Sequence, residues 1–100
     1  MINYHESERL HVMTTIKRKI ENKISEKIQP TYIGNRTCFA TLSGGFLRLD
    51  EIFGDSIVIE FAENIKEAKN NRFQDGDIFW LEEYDEEELC EIIERAIKEY

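Results

Sequence analysis

The apolar residues of this chain change their spacing twice. Near the start, Leu10, Met13, Ile16, Ile20, Ile24 and Ile28 recur every three or four residues, the period of one helix face. In the middle they alternate. In SIVIEFA, residues 56–62, Ile57, Ile59 and Phe61 fall on one side, with Val58 and Glu60 on the other, which is the period of a strand. At the end, Leu89, Ile92, Ile93, Ala96, Ile97 and Tyr100 return to helical spacing. A chain with helices at its ends and strands between them buries one sheet face under helices, which makes it α+β.

Local signals set the expected boundaries. Asn3 and Glu6 form an N-x-x-E capping box, in which each side chain satisfies a backbone N–H of the first turn. A long first helix is expected over about residues 4–28, with Pro30 ending it. TCFATL (37–42) and FLRL (46–49) flank Ser43-Gly44-Gly45, a hairpin loop in which glycine accepts positive φ. FGD (53–55) is a second turn, so residues 37–62 read as a three-stranded meander. Asn64 and Glu67 open a short helix that Asn70-Asn71 closes. Asp75-Gly76 reads as a tight turn, IFWLE (78–82) as a fourth strand, and the last helix spans about 86–99. The expected order is α-β-β-β-α-β-α. It describes a four-stranded antiparallel sheet covered by a long N-terminal and a C-terminal helix, in a single domain over residues 1–100.

Composition supports a folded domain. Hydrophobic residues are 41% of the chain, and a chain of this length buries roughly 60–70% of the surface it exposes when unfolded. Cys38 and Cys90 sit in apolar patterns without CxxC spacing, so they read as buried thiols rather than a disulfide or zinc framework. No apolar run approaches the ~18 residues of a membrane span. The first residues lack the basic flank and apolar core of a signal peptide. A cytoplasmic bacterial protein is expected, with no membrane partner. Charge is uneven: residues 1–49 balance at +4 and residues 50–100 at −12, for a net −8.

The densest acidic stretch is EEYDEEELCEIIER, residues 82–95, where six of the first seven residues are acids. Asp85 with Glu88 makes a third capping box. Glu86, Glu87 and Glu88 occupy a first helical turn, where the helix dipole favours anions. A Ca²⁺ loop needs ligands at alternate positions and a glycine, whereas after DGD (75–77) Trp80 and Leu81 intrude before Glu82 and Glu83. His5 and His11 lie about 240° apart around one helix and cannot share a metal. No GxSxG, HExxH, P-loop or dinucleotide fingerprint occurs, and no Lys-Ser/Thr follows Ser43-Gly44-Gly45. No catalytic, metal or cofactor-binding residue is therefore assigned, no cofactor is expected, and the chain reads as non-enzymatic. In the first helix Arg9, Lys17, Arg18, Lys19, Lys23 and Lys27 form a basic face. Phosphate binding wants such rows, but the net charge opposes it and nucleic acid is not expected as a partner. A solvated face, partly neutralised by the acidic half, is the simpler account.

The second half resembles small Gram-positive bacterial proteins that carry a strand, an A-x-N-x-x-E-A helix, an F-x-D-G-D segment and an acidic last helix. Here these are Ala62-Glu63-Asn64 with Glu67-Ala68, and Phe73-Gln74-Asp75-Gly76-Asp77. Some of those proteins resemble immunity proteins of polymorphic toxin systems. The resemblance covers about 45 residues and implies a compact acidic inhibitor that meets a basic, toxin-like protein. Aromatic anchors among acids suit such a surface. The candidate partner-binding residues are Trp80, Glu82, Glu83, Tyr84, Glu86 and Glu87. Two alternatives stand beside it: a small enzyme or ligand-binding module with its site between the sheet and the first helix, and an assembly subunit that dimerises through that helix. Monomer and homodimer are both compatible with the sequence.

Overall fold

In a computed structural model, residues 15–52 and 54–100 are described. Eight elements follow in order: α1 (Ile16–Ser25), β1 (Thr31–Ile33), β2 (Arg36–Ala40), β3 (Phe46–Ile52), β4 (Ser56–Ala62), α2 (Ile65–Lys69), β5 (Gln74–Trp80) and α3 (Glu86–Glu99). The five strands form one antiparallel sheet in chain order. The α+β class and the two covering helices agree with the expectation, and the sheet has one strand more. The Asn3–Glu6 box, His5, Arg9, Leu10, His11 and Met13 lie outside the described residues.

Three local details differ from the expectation, each for a physical reason. First, Thr15 has extended backbone, φ −72° and ψ 160°, and its Oγ1 accepts a bond from the Arg18 N–H at 3.2 Å. A helix therefore starts here, and the expected continuous helix over 4–28 is interrupted at Thr15 and ends at Ser25. Second, Gly34 and Asn35 have φ of 58° and 63°. Two consecutive left-handed residues make the tight hairpin that joins β1 to β2. Third, Asp75-Gly76 is no turn but lies inside β5. Between the pairs Val58↔Ile78 and Glu60↔Asp75 the β5 side holds one extra residue, a β-bulge. A Cβ on Gly76 would stand 2.8 Å from Phe61 Cε2 and 3.0 Å from the Ile59 carbonyl oxygen. Glycine is used there for close approach rather than for a bend.

The sheet register sorts the side chains. Phe39, Leu47, Leu49, Ile57 and Ile59 point to the face that α1 and α3 cover, where they meet Ile20, Ile24, Leu89, Ile93 and Ile97. α3 begins on a complete capping box, with Glu88 N–H donating to Asp85 Oδ1 at 2.8 Å and Asp85 N–H to Glu88 Oε1 at 3.1 Å.

The opposite face carries the row Cys38↔Arg48↔Glu60. Arg48 Nε donates to Glu60 Oε1 at 2.7 Å and Nη1 to Asn71 Oδ1 at 2.8 Å. Its guanidinium lies 3.8 Å over the Phe73 ring, a cation–π contact. Asn71 reaches this point because its left-handed φ of 57° ends α2 and turns the chain back over the sheet. Arg36 Nη2 donates to the Leu49 carbonyl at 2.9 Å nearby. One end of this face is thus closed by a polar network, and the other end is open.

Candidate functional site

The acidic stretch is delivered by a tight turn at the end of β5. Glu83 and Tyr84 both donate their N–H to the Trp80 carbonyl, at 2.9 and 3.2 Å. Leu81 N–H donates to the Asp55 carbonyl at 2.9 Å, which ties the turn to the β3–β4 connection. Phe79 faces the core opposite Ile57, so Trp80, opposite Ser56, must face the other way.

That parity places Trp80 on the sheet face away from α1 and α3, at the end opposite the Arg48 network. Its exposure is 48%, as is that of Ile78, while Ile52 is 38% exposed. These three surround Ser56 and Val58, which are buried between them. The Ser56 hydroxyl oxygen has no hydrogen-bond partner among the described residues. Trp80, Leu81 and Glu82 also line an open hollow of about 490 Å³ with Gly54 and Asp55.

The six candidate residues do not form one surface. Trp80 and Glu82 share the hollow on the open face, and Glu83 is exposed in the turn. Tyr84 is half-buried and packs edge-on against Phe79, with ring centroids 5.4 Å apart. It fastens the turn to the core. Glu86 and Glu87 belong to the helical layer. Glu86 Oε1 is 3.2 Å from Lys23 Nζ, and Glu94 Oε1 is 3.6 Å from Lys27 Nζ. The Glu86 hydrogen bond and charge raise the Lys23 ammonium above its ordinary range. Glu87 lines the groove between Lys23, Lys27 and Cys90. Two members of the basic row on α1 thus face acids of α3.

Electrostatics separates the two surfaces further. From Phe73 to Glu94 the chain holds ten acids and no Lys or Arg. Glu86 and Glu94 have cationic partners in α1, whereas Asp55, Asp75, Asp77, Glu82 and Glu83 form no ion pair among the described residues. Asp85, Glu87, Glu88 and Glu91 likewise form no ion pair among the described residues, so the unpaired charge runs from β5 through its turn, beside the exposed Trp80, into the start of α3. Asp55, Ile52 and Ile78 were not among the candidates. Ile78 could have been found from the alternation that also places Trp80, once the phase of β5 is known. Asp55 and Ile52 join the site only through strand pairing.

Elsewhere the structure holds less that points to chemistry. The space between α1 and the sheet is filled by Ile20, Ile24, Leu47 and Leu49. A cleft of about 660 Å³ at the other end of the sheet is lined by Thr41, Ser43, Phe61, Arg72, Gln74 and Tyr100, among others. Its polar groups are largely engaged with one another. The Thr41 and Ser43 hydroxyls are 3.2 Å apart, Ser43 N–H donates to the Tyr100 carbonyl at 2.7 Å, and Arg72 lies 3.6 Å from Glu67. Burial pushes the thiols of Cys38 and Cys90 up, and the neighbouring cations, Arg48 and Arg36 for the first and Lys23 and Lys27 for the second, pull back only in part, so both are poor nucleophiles. Among the described residues no three His, Cys, Asp or Glu side chains converge as metal ligands. No described helix is long and apolar enough to cross a membrane. Comparison with protein-family models, with curated proteins and with solved structures finds no match to this chain.

Proposed function

We propose that this chain is a non-enzymatic protein-binding domain whose partner is a basic protein, and that it acts as an acidic, immunity-type inhibitor of a bacterial toxin. The observation that carries the reading is the half-exposed Trp80, set beside Ile78 and Ile52 and near Asp55, Glu82 and Glu83, acids that form no ion pair among the described residues. An aromatic anchor on a desolvated patch supplies binding energy. Surrounding carboxylates steer a cationic partner and reject acidic ones. A toxin that uses a basic cleft to hold phosphates presents the complementary field.

The test is a pull-down from the native host with the wild-type chain, Trp80→Ala and the double change Glu82→Lys/Glu83→Lys. The expected result is a basic protein whose capture weakens with salt, is lost in both variants, and survives Glu91→Lys in the groove between α1 and α3. Equal capture by all four proteins, or capture of an acidic protein, would end this reading. Coexpression then addresses inhibition: the wild-type chain relieves growth arrest by the captured protein and Trp80→Ala does not.

A further inference from the structure

β5 stands at the edge of the sheet, with β4 on one side and no described strand on the other. The direction of its backbone groups can be read from the turn that follows. Leu81 N–H points to β4, because it donates to the Asp55 carbonyl at 2.9 Å. In an antiparallel ladder this direction alternates, so Phe79 also faces β4, while Ile78 and Trp80 turn their backbone outward. The Trp80 carbonyl fits this, since it is taken by Glu83 and Tyr84 of the turn rather than by β4. The Ile78 N–H, the Ile78 carbonyl and the Trp80 N–H thus form a row along an edge that no other described strand occupies. Such a row is a template for another strand.

The two halves of β5 are not equally receptive. The first half carries the bulge, Gly76 and the charges Asp75 and Asp77, features that blunt an edge. The second half, Ile78-Phe79-Trp80, carries none of them. Charge selects the occupant. A second copy pairing β5 against β5 would bring Asp75, Asp77, Glu82 and Glu83 of each chain together, and like charges across strands are destabilising. An extended segment rich in Lys or Arg would meet those same acids favourably.

We infer that the partner binds by adding a strand to the second half of β5, through an extended basic segment that alternates cationic and apolar residues. Its apolar side chains lie beside Ile78 and Trp80, the cations that alternate with them fall on the other face beside Asp77, and its backbone closes the row of Ile78 and Trp80. This inference rests on the basic-partner reading above and specifies how that partner is held.

A synthetic eight-residue peptide of alternating Lys and Val is the probe, followed by amide shifts in the isotope-labelled protein. Its fully N-methylated counterpart keeps the charge and side chains but donates no backbone bonds. The expected result is that the Lys-Val peptide moves the amides of Ile78 and Trp80, and that N-methylation weakens binding by roughly several-fold to tenfold, the loss of the net hydrogen bond donated to the Ile78 carbonyl. Ile78→Pro should weaken the unmethylated peptide similarly while still melting cooperatively, since an outward edge position accepts proline. Equal binding of both peptides would overturn strand addition and leave the basic-partner reading standing. Binding of neither takes both readings down. Shifts confined to β1, or concentration-dependent self-association that protects β5 amides without peptide, would also overturn the inference.

Discussion

Among the described residues, Glu21 is a carboxylate that burial disfavours. It is 6% exposed on the core-facing side of α1. Burial raises its carboxyl above the ordinary value of 4.5, and the charges of Lys17, Arg18 and Arg36 only partly pull it back. An acid whose folded pKa is raised binds protons more tightly in the native state. Its contribution is therefore fully present below about pH 4.5 and is lost as pH rises through the folded pKa. Glu21→Gln should raise the melting temperature at pH 7 and leave it nearly unchanged at pH 4. Melts from pH 4 to 8 check this; a variant that gains nothing at pH 7 sinks it. The buried Ser56 hydroxyl is enclosed without a hydrogen-bond partner among the described residues, and it lies directly under the apolar patch.

At the scale of elements, glycine separates two kinds of tight approach. A Cβ on Gly45 would lie 2.5 Å from the Ala62 carbonyl oxygen, and one on Gly76 2.8 Å from the edge of the Phe61 ring. Backbone of a central strand yields less than a ring that can swing. Gly45→Ala should cost about 3 kcal/mol and Gly76→Ala nearer 1 kcal/mol, within the usual range for overpacking. Urea melts give the order, and equal costs would contradict it. The same positions show what sequence can tell. α3 was legible from Asp85 to Glu99 because its box and stripe are local. The Asn64 cap of α2, which accepts from Glu67 N–H at 2.9 Å, was legible for the same reason. β1 announced itself only by Gly34-Asn35 after three residues of strand. The Asp75-Gly76 pair resembles a turn in isolation, and only Phe61 and Ile59 on the neighbouring strand make it a bulge. The candidate site divided likewise. Its acids were visible, but their separation into an ion-paired groove and an uncompensated edge depends on where α1 lies.

As a whole molecule, the sheet has an apolar side built from four of its strands and two helices, and an opposite side with a polar network centred on Arg48. Arg48 and Glu60 have side chains only 10% and 12% exposed, and Arg48 also secures Asn71 and Phe73. Removing one partner of such a pair costs about 3–5 kcal/mol, because the other charge is left buried. That is a large share of the roughly 5–15 kcal/mol that stabilises a domain. Arg48→Ala should lower the denaturation midpoint accordingly, while Arg48→Met with Glu60→Leu should recover most of the loss. A double variant no more stable than the single would show that Asn71 and Phe73, rather than the ion pair, dominate.

The order of strands has a consequence for how the chain comes into being. Each strand pairs with the one made just before it, so the hairpins of β1 to β4 can close within a few residues of emerging during synthesis, and β5 joins once α2 has been made. The face that carries Phe39, Leu47, Leu49 and Ile57 is then assembled before α3 exists. Until Leu89, Ile93 and Ile97 arrive, α1 alone shields that surface. A nascent chain is most open to premature association in this interval, and the acids that precede Leu89 are made ahead of the apolar stripe that ends it.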